Sequence, residues 1–253
     1  MYNKNILIVG GEGYIGNALY DHFSSKKLQI TSFDNLIYNQ NNKKKNSRKY
    51  KFVNGDLRIN KDLKKIDQRY DAIIFLAGLV GDPITNKYKK ISLQINEMAT
   101  INYIKRVYTK ENASKFIFIS TCSNYGLSKN KHLNENHKLK PLSPYAKSKV
   151  KIEKFILKLK RKKAFSPTIL RFATAFGFSN RMRYDLTINE FTKDLYLKKY
   201  LEIYDFNTWR PYCHVKDFAR LIEIIIFSKK NLTDYQIFNV GSNKNNYTKK
   251  SIG

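Results

Sequence analysis

Three regularly spaced glycines directly after a short apolar run constrain this chain more than any other feature. Gly10, Gly13 and Gly16 follow the apolar residues 6–9, and apolar residues then recur at helical spacing over 15–23. A buried strand that leads through a glycine turn into a helix brings backbone amides close to a pyrophosphate, because glycine has no side chain in the way. The segment therefore predicts a βα unit that binds the phosphates of a dinucleotide.

Further apolar runs alternate with helical patterns along the chain. We expect strands at 6–9, 28–33, 52–53, 72–76, 116–120 and 168–172, and helices at 15–23, 91–108 and 144–163. Residues 39–49 are rich in lysine and asparagine and are expected to form a loop. Strands that alternate with helices favour a parallel sheet with right-handed crossovers. The chain is thus predicted to have an α/β fold with a doubly wound parallel sheet.

The pattern changes after residue 177. A polar irregular stretch at 181–186 precedes a helix expected at 188–197, short strands expected at 201–204 and 236–240, and a helix at 215–227. We expect a dinucleotide-binding domain at 1–176, to which 212–240 returns. A small, discontinuous α/β substrate lobe is expected at 177–211 and 241–253. Residues 247–253 resemble the start of a helix, so this lobe is expected to be incomplete.

The charge of the chain has two interpretations. The 253 residues carry a formal net charge of +28, which suits nucleic acid or an anionic membrane surface. However, lysine greatly outnumbers arginine and is spread along the chain, whereas proteins that read bases favour arginine. We therefore expect no specific nucleic-acid partner, although a basic surface would attract an anionic sugar nucleotide.

Other sequence features bear on the compartment. No uninterrupted apolar stretch is long enough to span a bilayer, and the first residues pass directly into a strand. Cys122 and Cys213 do not have the spacing of a metal or redox site. These features predict a cytoplasmic protein with no membrane insertion and no metal.

Two aspartates are candidates for contacts with the adenosine half of a dinucleotide. Asp34 ends the second predicted strand, where a carboxylate can bind both ribose hydroxyls and repel a 2′-phosphate. No arginine is adjacent, which favours NAD over NADP. Asp56, after Gly55, is a candidate contact of the adenine amine.

Tyr145 and Lys149 are one helical turn apart and so share a face. A nearby lysine ammonium lowers the pKa of a tyrosine, and the phenolate can then accept a proton near neutral pH. Before them, hydroxyl residues follow the fifth predicted strand, at the sheet edge where ligands bind. Thr121 or Ser123 could therefore hydrogen-bond a substrate hydroxyl beside Tyr145.

With these motifs the chain resembles the extended short-chain dehydrogenase/reductase family, in its nucleotide-sugar epimerase/dehydratase branch. The resemblance covers nearly the whole chain and rests on residues 10–16, 34–36, 55–58, 76–78, 120–126, 141–149, 170–172 and 209–215. It implies a Rossmann-like domain that binds NAD(P), with Thr121, Tyr145 and Lys149 as the catalytic residues.

The resemblance also implies the residues that contact each ligand. The implied cofactor contacts are Gly10, Gly13, Tyr14, Ile15, Gly16, Asp34, Asn35, Asp56, Leu57, Ala77, Gly78, Asn96, Ser120, Tyr145, Lys149 and Phe172. The implied substrate contacts are Ser123, Thr174, Asn189 and Arg210, with Arg210 matching a basic residue that binds the diphosphate. Two long helices of the family pack into a four-helix bundle, which implies a homodimer through the helices near 91–108 and 144–163.

Two departures from the family pattern narrow the activity. Dehydratases of this branch carry an Asp-Glu pair after the catalytic threonine, where this chain has Cys122 and Ser123, so 4,6-dehydration is disfavoured. Many 4-epimerases have asparagine where Thr174 stands. The leading hypothesis is an NAD-dependent nucleotide-sugar epimerase that forms a transient keto-sugar. The alternatives are a keto-sugar reductase or dehydrogenase, and a dinucleotide-binding protein without catalysis.

Overall fold

The computed structural model of the protein describes residues 4–38, 46–127 and 132–253. The strands are β1 Lys4–Val9, β2 Leu28–Asp34, β3 Tyr50–Asn54, β4 Tyr70–Phe75, β5 Ala113–Thr121, β6 Pro167–Phe172, β7 Thr174–Phe176, β8 Trp209–His214, β9 Gln236–Val240 and β10 Asn246–Thr248. The helices are α1 Tyr14–Phe23, α2 Asn60–Lys64, α3 Asp82–Lys87, α4 Lys89–Leu93, α5 Thr100–Lys110, α6 Pro144–Lys158, α7 Thr187–Lys198, α8 Val215–Phe227 and α9 Lys249–Ile252. A π-helical stretch, Gln94–Ala99, joins α4 to α5.

Seven parallel strands form the large sheet, in the order β3-β2-β1-β4-β5-β6-β9. The chain first builds outward from β1 to β3 and then returns to add β4 on the other side of β1. Ligands of such sheets bind beyond the carboxyl ends of the strands, where the order reverses. The predicted doubly wound fold is confirmed, and its crevice opens where the glycine turn follows β1.

The large sheet is buried on both faces, which explains the continuous apolar runs of its strands. Along β1, Ile6 and Ile8 join a core cluster with α1 and α8, while Leu7 and Val9 join a second cluster with α5 and α6. Successive side chains of a strand point to opposite faces, so one apolar run serves both layers. The sheet that carries the crevice is therefore fixed from both sides.

A second sheet has three strands in the order β10-β8-β7, and α7 and α9 contact it. We call these five elements the small lobe. The strand predicted at 201–204 is wrong, because those residues form no regular structure. Leu201 and Ile203 lie against the chain near Gly253 and have no strand partner. The strand β8 was not predicted, and it joins β7 and β10 from distant parts of the chain.

Two helix boundaries differ from the predictions. The helix expected to reach residue 163 ends at Lys158, and Phe165 then turns into the core, where its side chain is fully buried. The helix expected at 91–108 spans α4, the π-helical stretch and α5. Of the loop expected at 39–49, residues 39–45 lie outside the described residues.

Two negative findings hold for the part of the chain that the structure describes. None of its helices combines the length and the apolar character needed to cross a membrane. It also contains no group of three or more His, Cys, Asp or Glu side chains arranged to hold a metal ion.

Candidate active site

A cleft of about 970 Å³ lies along the carboxyl ends of the large sheet and extends to the small lobe. All of the predicted site residues except Asn96 and Asn189 line it. A smaller polar cavity of about 550 Å³, near Asn5 and Arg69, contains none of the predicted site residues. The structure thus brings motifs from distant parts of the chain into one place.

The three regularly spaced glycines Gly10, Gly13 and Gly16 are required for different reasons. Gly10 has φ +83°, and a Cβ there would lie 2.6 Å from the backbone nitrogen of Ala77. A Cβ on Gly16 would lie 2.2 Å from the carbonyl oxygen of Gly11. In contrast, a Cβ on Gly13 would meet no protein atom closer than 3.4 Å, and Gly13 lines the cleft. The bare backbone at Gly13 therefore leaves room for a ligand at the start of α1, as a bound pyrophosphate needs.

Asp34 is held at the end of β2 by two backbone amides. Its Oδ2 accepts a hydrogen bond from the nitrogen of Glu12 at 3.1 Å, and its Oδ1 accepts one from Leu36 at 2.9 Å. Burial raises the pKa of Asp34, and Glu12 adds to the rise, while the amides oppose it. Each carboxylate oxygen can accept more than one hydrogen bond, so Asp34 can also receive two ribose hydroxyls.

Asp56 is paired with a neighbouring arginine. Arg58 donates from Nε at 3.0 Å and from Nη2 at 2.7 Å, and Asn35 donates to the same carboxylate at 3.2 Å. The Arg58 hydrogen bonds lower the pKa of Asp56 to about 2 against the effect of burial. The carboxylate is thus ionised and held in a fixed orientation in the cleft that Asp34 also lines.

Asn96 lies behind the cleft wall rather than on it. Its Oδ1 accepts from the nitrogen of Leu79 at 2.7 Å, and its Nδ2 donates to the oxygen of Leu79 at 2.8 Å. Gly78 has φ +149°, and a Cβ there would lie 2.8 Å from the Asn96 Oδ1. The π-helical stretch therefore uses Asn96 to fix the loop after β4, which lines the cleft with Ala77 and Gly78.

The hydroxyl of Thr121 is positioned where β5 ends. Its Oγ1 accepts from the nitrogen of Ser123 at 3.1 Å, as the cap of a 3₁₀ turn over Cys122–Tyr125. A hydroxyl that accepts one hydrogen bond can still donate its own hydrogen to a ligand. Ser120, in contrast, donates its hydroxyl hydrogen to the buried carboxylate of Glu153 at 2.5 Å.

Helix α6 brings Tyr145 and Lys149 to the same end of the cleft. The helix begins with Ser143, whose Oγ accepts from the nitrogen of Ala146 at 3.2 Å, and with Pro144 in the first turn. The Lys149 Nζ lies 5.6 Å from the centroid of the Tyr145 ring and is buried. Burial lowers the pKa of Lys149 to about 8, and the carboxylate of Glu153 opposes this shift.

Three arginines line the cleft, of which only Arg210 was predicted. Arg183 makes a fork with Asp185, at 3.1 Å from Nε and 2.5 Å from Nη2. A Cβ on Gly81 would lie 3.7 Å from each member of that pair. Arg181 stacks on Tyr38, with its guanidinium carbon 4.7 Å from the ring centroid. Arginine is rarer than lysine in this chain. Arg181 and Arg183, which are separated by a single residue, are therefore a sequence signal that could have indicated a cationic part of the site.

Tyr14 and Asn189 join the two parts of the cleft. The Tyr14 hydroxyl donates to the oxygen of Gly177 at 2.5 Å and accepts from the Asn189 Nδ2 at 3.2 Å. Asn189 also accepts from the nitrogen of Gly177 at 3.0 Å and donates to the oxygen of Arg183 at 3.0 Å. Asn189 therefore holds the strand-to-helix segment after β7 in place, and it does not line the cleft.

Known protein families account for this arrangement. The profile of the NAD-dependent epimerase/dehydratase family matches residues 6–241. The chain belongs to this family. The match spans both the glycine turn and the strand that carries Arg210, so the resemblance inferred from the motifs is confirmed.

Two curated relatives are described as UDP-glucose 4-epimerases, one of them as putative. A protein of Methanocaldococcus jannaschii described as a putative UDP-glucose 4-epimerase is 29% identical over 244 residues, which is 94% of this chain and 77% of that protein. A UDP-glucose 4-epimerase of Rhizobium meliloti is 28% identical over 179 residues, 70% of this chain. The matched region spans 53% of the Rhizobium protein's length.

Solved structures share the fold. A UDP-N-acetylglucosamine 4-epimerase from Methanobrevibacter ruminantium M1 superposes with a TM-score of 0.81 at 26% identity, covering 95% of this chain and 77% of that one. The epimerase Mth375 of Methanothermobacter thermautotrophicus gives a TM-score of 0.86 at 20% identity, covering 99% of this chain and 75% of that one. The second likeness shows the fold alone.

Proposed function

We propose that the protein is an NAD-dependent nucleotide-sugar epimerase. The observation that carries the proposal is that Thr121, Tyr145 and Lys149 line the same cleft as the glycine turn and Asp34. The curated relatives described as UDP-glucose 4-epimerases support the same activity. The residues of both halves therefore belong to one reaction site.

The cleft fits a dinucleotide. The open side of Gly13 suits the pyrophosphate at the start of α1, and the two fixed oxygens of Asp34 suit an unphosphorylated ribose. We propose that the other cleft-lining residues of this half make the remaining contacts: Gly10, Tyr14, Ile15, Gly16, Asn35, Asp56, Leu57, Ala77, Gly78, Ser120 and Phe172. When bound, NAD supplies reversible acceptance and return of a hydride.

Three side chains take part in removing the proton from the substrate hydroxyl. Tyr145 accepts the proton of the sugar hydroxyl, and Thr121 donates its own hydrogen to that oxygen and orients it. Lys149 stabilises the phenolate with its charge and uses one of its three donors on the oxygen of Ile119, at 2.7 Å. The two other donors can serve a ribose hydroxyl and the phenolate.

The residues after Thr121 favour epimerisation over dehydration. Cys122 and Ser123 supply no carboxylate to remove water from the sugar. Burial raises the pKa of the Cys122 thiol, with Arg210 opposing, so the thiol remains protonated and cannot act as a base near neutral pH. The sugar is therefore oxidised and reduced again without elimination.

The substrate end offers a cation for the diphosphate. Arg210 lines the cleft beside Cys122 and Ser123, and an arginine fork suits phosphate oxygens. We propose that Ser123 and Thr174 contact the sugar, and that Asn189 acts on the substrate only through the segment that it holds.

Two further features of the protein remain proposals. Ile91, Leu93, Met98 and Leu157 are exposed on the helices expected to form a four-helix bundle, which supports a homodimer that light scattering can test. We also propose a cytoplasmic location, with which the free thiols of Cys122 and Cys213 are consistent.

The test is incubation of the purified protein with a panel of UDP-sugars, followed by product analysis and by assay of NADH. Epimerised product without net change of NADH supports the proposal. In a second incubation supplied with a keto-sugar and NADH, net consumption of NADH would instead identify a reductase. Bound dinucleotide without turnover of any sugar would identify a binding protein.

A further inference from the structure

The glycine turn contains a buried carboxylate that the proposed reaction does not use. Glu12 lies between Gly11 and Gly13, and only 2% of its surface is exposed. Its Oε1 accepts hydrogen bonds from the Ser32 hydroxyl at 2.5 Å and from the Tyr50 hydroxyl. Glu12 is thus tied to β2 and β3, and it does not line the cleft.

Both of these donors are neutral hydroxyls. They satisfy the carboxylate by hydrogen bonding without cancelling its charge. A charge in a buried site acts over a longer range than one in water, because the surrounding dielectric constant is lower. The charge of Glu12 therefore affects other charged groups nearby.

The nearest functional carboxylate is Asp34. The backbone nitrogen of Glu12 donates to Asp34 Oδ2 at 3.1 Å, so the same residue both aims Asp34 and places a like charge close to it. Burial and the Glu12 charge both raise the pKa of Asp34. Among the described residues, the other charged groups at this corner are Arg181, from the segment after β7, and Arg58, which is paired with Asp56. Tyr50 of β3 faces Glu12 as a neutral hydroxyl, because burial and Glu12 both raise the pKa of that tyrosine.

We infer that Glu12 is a positioning residue for cofactor specificity, which holds Asp34 toward the adenosine ribose and adds a second negative charge against a 2′-phosphate. The inference rests on the proposed dinucleotide site and explains how Asp34, which makes no ion pair with the described residues, is held in position. A 2′-phosphate would meet the repulsion of both Asp34 and Glu12, whereas the two ribose hydroxyls need only the Asp34 oxygens.

The test measures Kd for NAD⁺ and for NADP⁺ by calorimetry, with the full chain and without sugar, between pH 4.5 and 8. Glu12→Gln removes the charge and keeps an oxygen acceptor for Ser32 and Tyr50. We expect the ratio of Kd for NADP⁺ to Kd for NAD⁺ to fall about tenfold in this variant. We also expect the loss of NAD⁺ affinity at acid pH to move to lower pH, because Asp34 then ionises more easily.

Two comparisons separate charge from structure. Tyr50→Phe removes a hydrogen bond of Glu12 but leaves its charge, so the Kd ratio should stay within about twofold of the wild type. In an Asp34→Asn background, Glu12→Gln should leave the pH dependence unchanged, because the group on which it acts is gone.

The outcomes are distinct. An unchanged Kd ratio and pH dependence in folded Glu12→Gln would overturn the inference, as would equal weakening of both dinucleotides with no pH shift. Failure of the wild type to bind either dinucleotide would overturn the proposed function as well. If Glu12→Gln does not fold, the wild type decides: unchanged NAD⁺ affinity between pH 8 and pH 4.5 would contradict the inference, because the pKa of Asp34 would then lie near the ordinary aspartate value of about 3.9.

Discussion

Lys149 donates from its Nζ to the carbonyl oxygen of Ile119 at 2.7 Å, which ties helix α6 to strand β5 just before Thr121. The ammonium is buried, and burial lowers its pKa to about 8. As pH rises through about 8, Lys149 loses the charge that stabilises the Tyr145 phenolate. We therefore expect kcat to fall on the alkaline side with a midpoint near pH 8, measured with saturating substrate and cofactor. A kcat that is flat or rises between pH 7.5 and 9.5 would contradict this role.

Tyr145→Phe removes the group that accepts the substrate proton and little else, because the ring remains. General base catalysis contributes about 10²- to 10⁴-fold to rate. We expect kcat for epimerisation to fall by about that factor, with Kd for NAD⁺ within about twofold. Tyr184→Phe, an exposed tyrosine of the small lobe, is the control and should retain activity. Retention of more than a tenth of the activity by Tyr145→Phe would remove Tyr145 from the mechanism.

Arg210→Ala should weaken binding of the nucleotide-sugar and leave binding of the dinucleotide unaffected. A charge-assisted hydrogen bond contributes about 1.5–3 kcal/mol, so Kd for UDP should rise about 10- to 100-fold. Arg220→Ala is a matched control, because Arg220 is an exposed cation on α8 paired only locally with Asp217. Equal effects of the two substitutions would mean that general charge, and not the fork of Arg210, attracts the ligand.

Gly10→Ala and Gly13→Ala should impair different properties: the first should lower stability, and the second should weaken NAD⁺ binding. At Gly10 the positive φ and the backbone of Ala77 leave no room for a methyl group, so the thermal midpoint should fall by several degrees. At Gly13 the protein itself accepts a Cβ, so the variant should keep its stability and lose NAD⁺ affinity at least about tenfold. The comparison uses thermal unfolding and calorimetry. Normal NAD⁺ binding by Gly13→Ala would place the pyrophosphate elsewhere.

Much of this architecture could be predicted because its signals are local. The apolar residues of β1 lead directly into Gly10, and both the strand and the turn follow from a few consecutive residues. The Tyr145 and Lys149 pair needs only one helical turn to be brought together. Elements could be predicted where a few consecutive residues determine the local backbone conformation.

The parts that escaped prediction depend on contacts across the chain. Strand β8 contains Arg210 and Pro211 and has no clear alternation, and its partners β7 and β10 are distant in sequence. The Arg183 and Asp185 pair lies in an irregular stretch, and only the fold brings it to Gly81. The hydrogen bonds of the Asn96 amide to Leu79 were not predicted either, because they depend on the π-helical stretch.

The central claim is that one sugar is oxidised and reduced again within this cleft. The most direct test incubates the protein with UDP-glucose deuterated at C4 and follows the label in product by mass spectrometry, with unlabelled NADH added to the solution. We expect epimerised UDP-sugar that retains the deuterium, with no net change in NADH. Transfer of the label to the added NADH pool, or a net change in NADH, would show that the sugar is not oxidised and reduced again within one cleft.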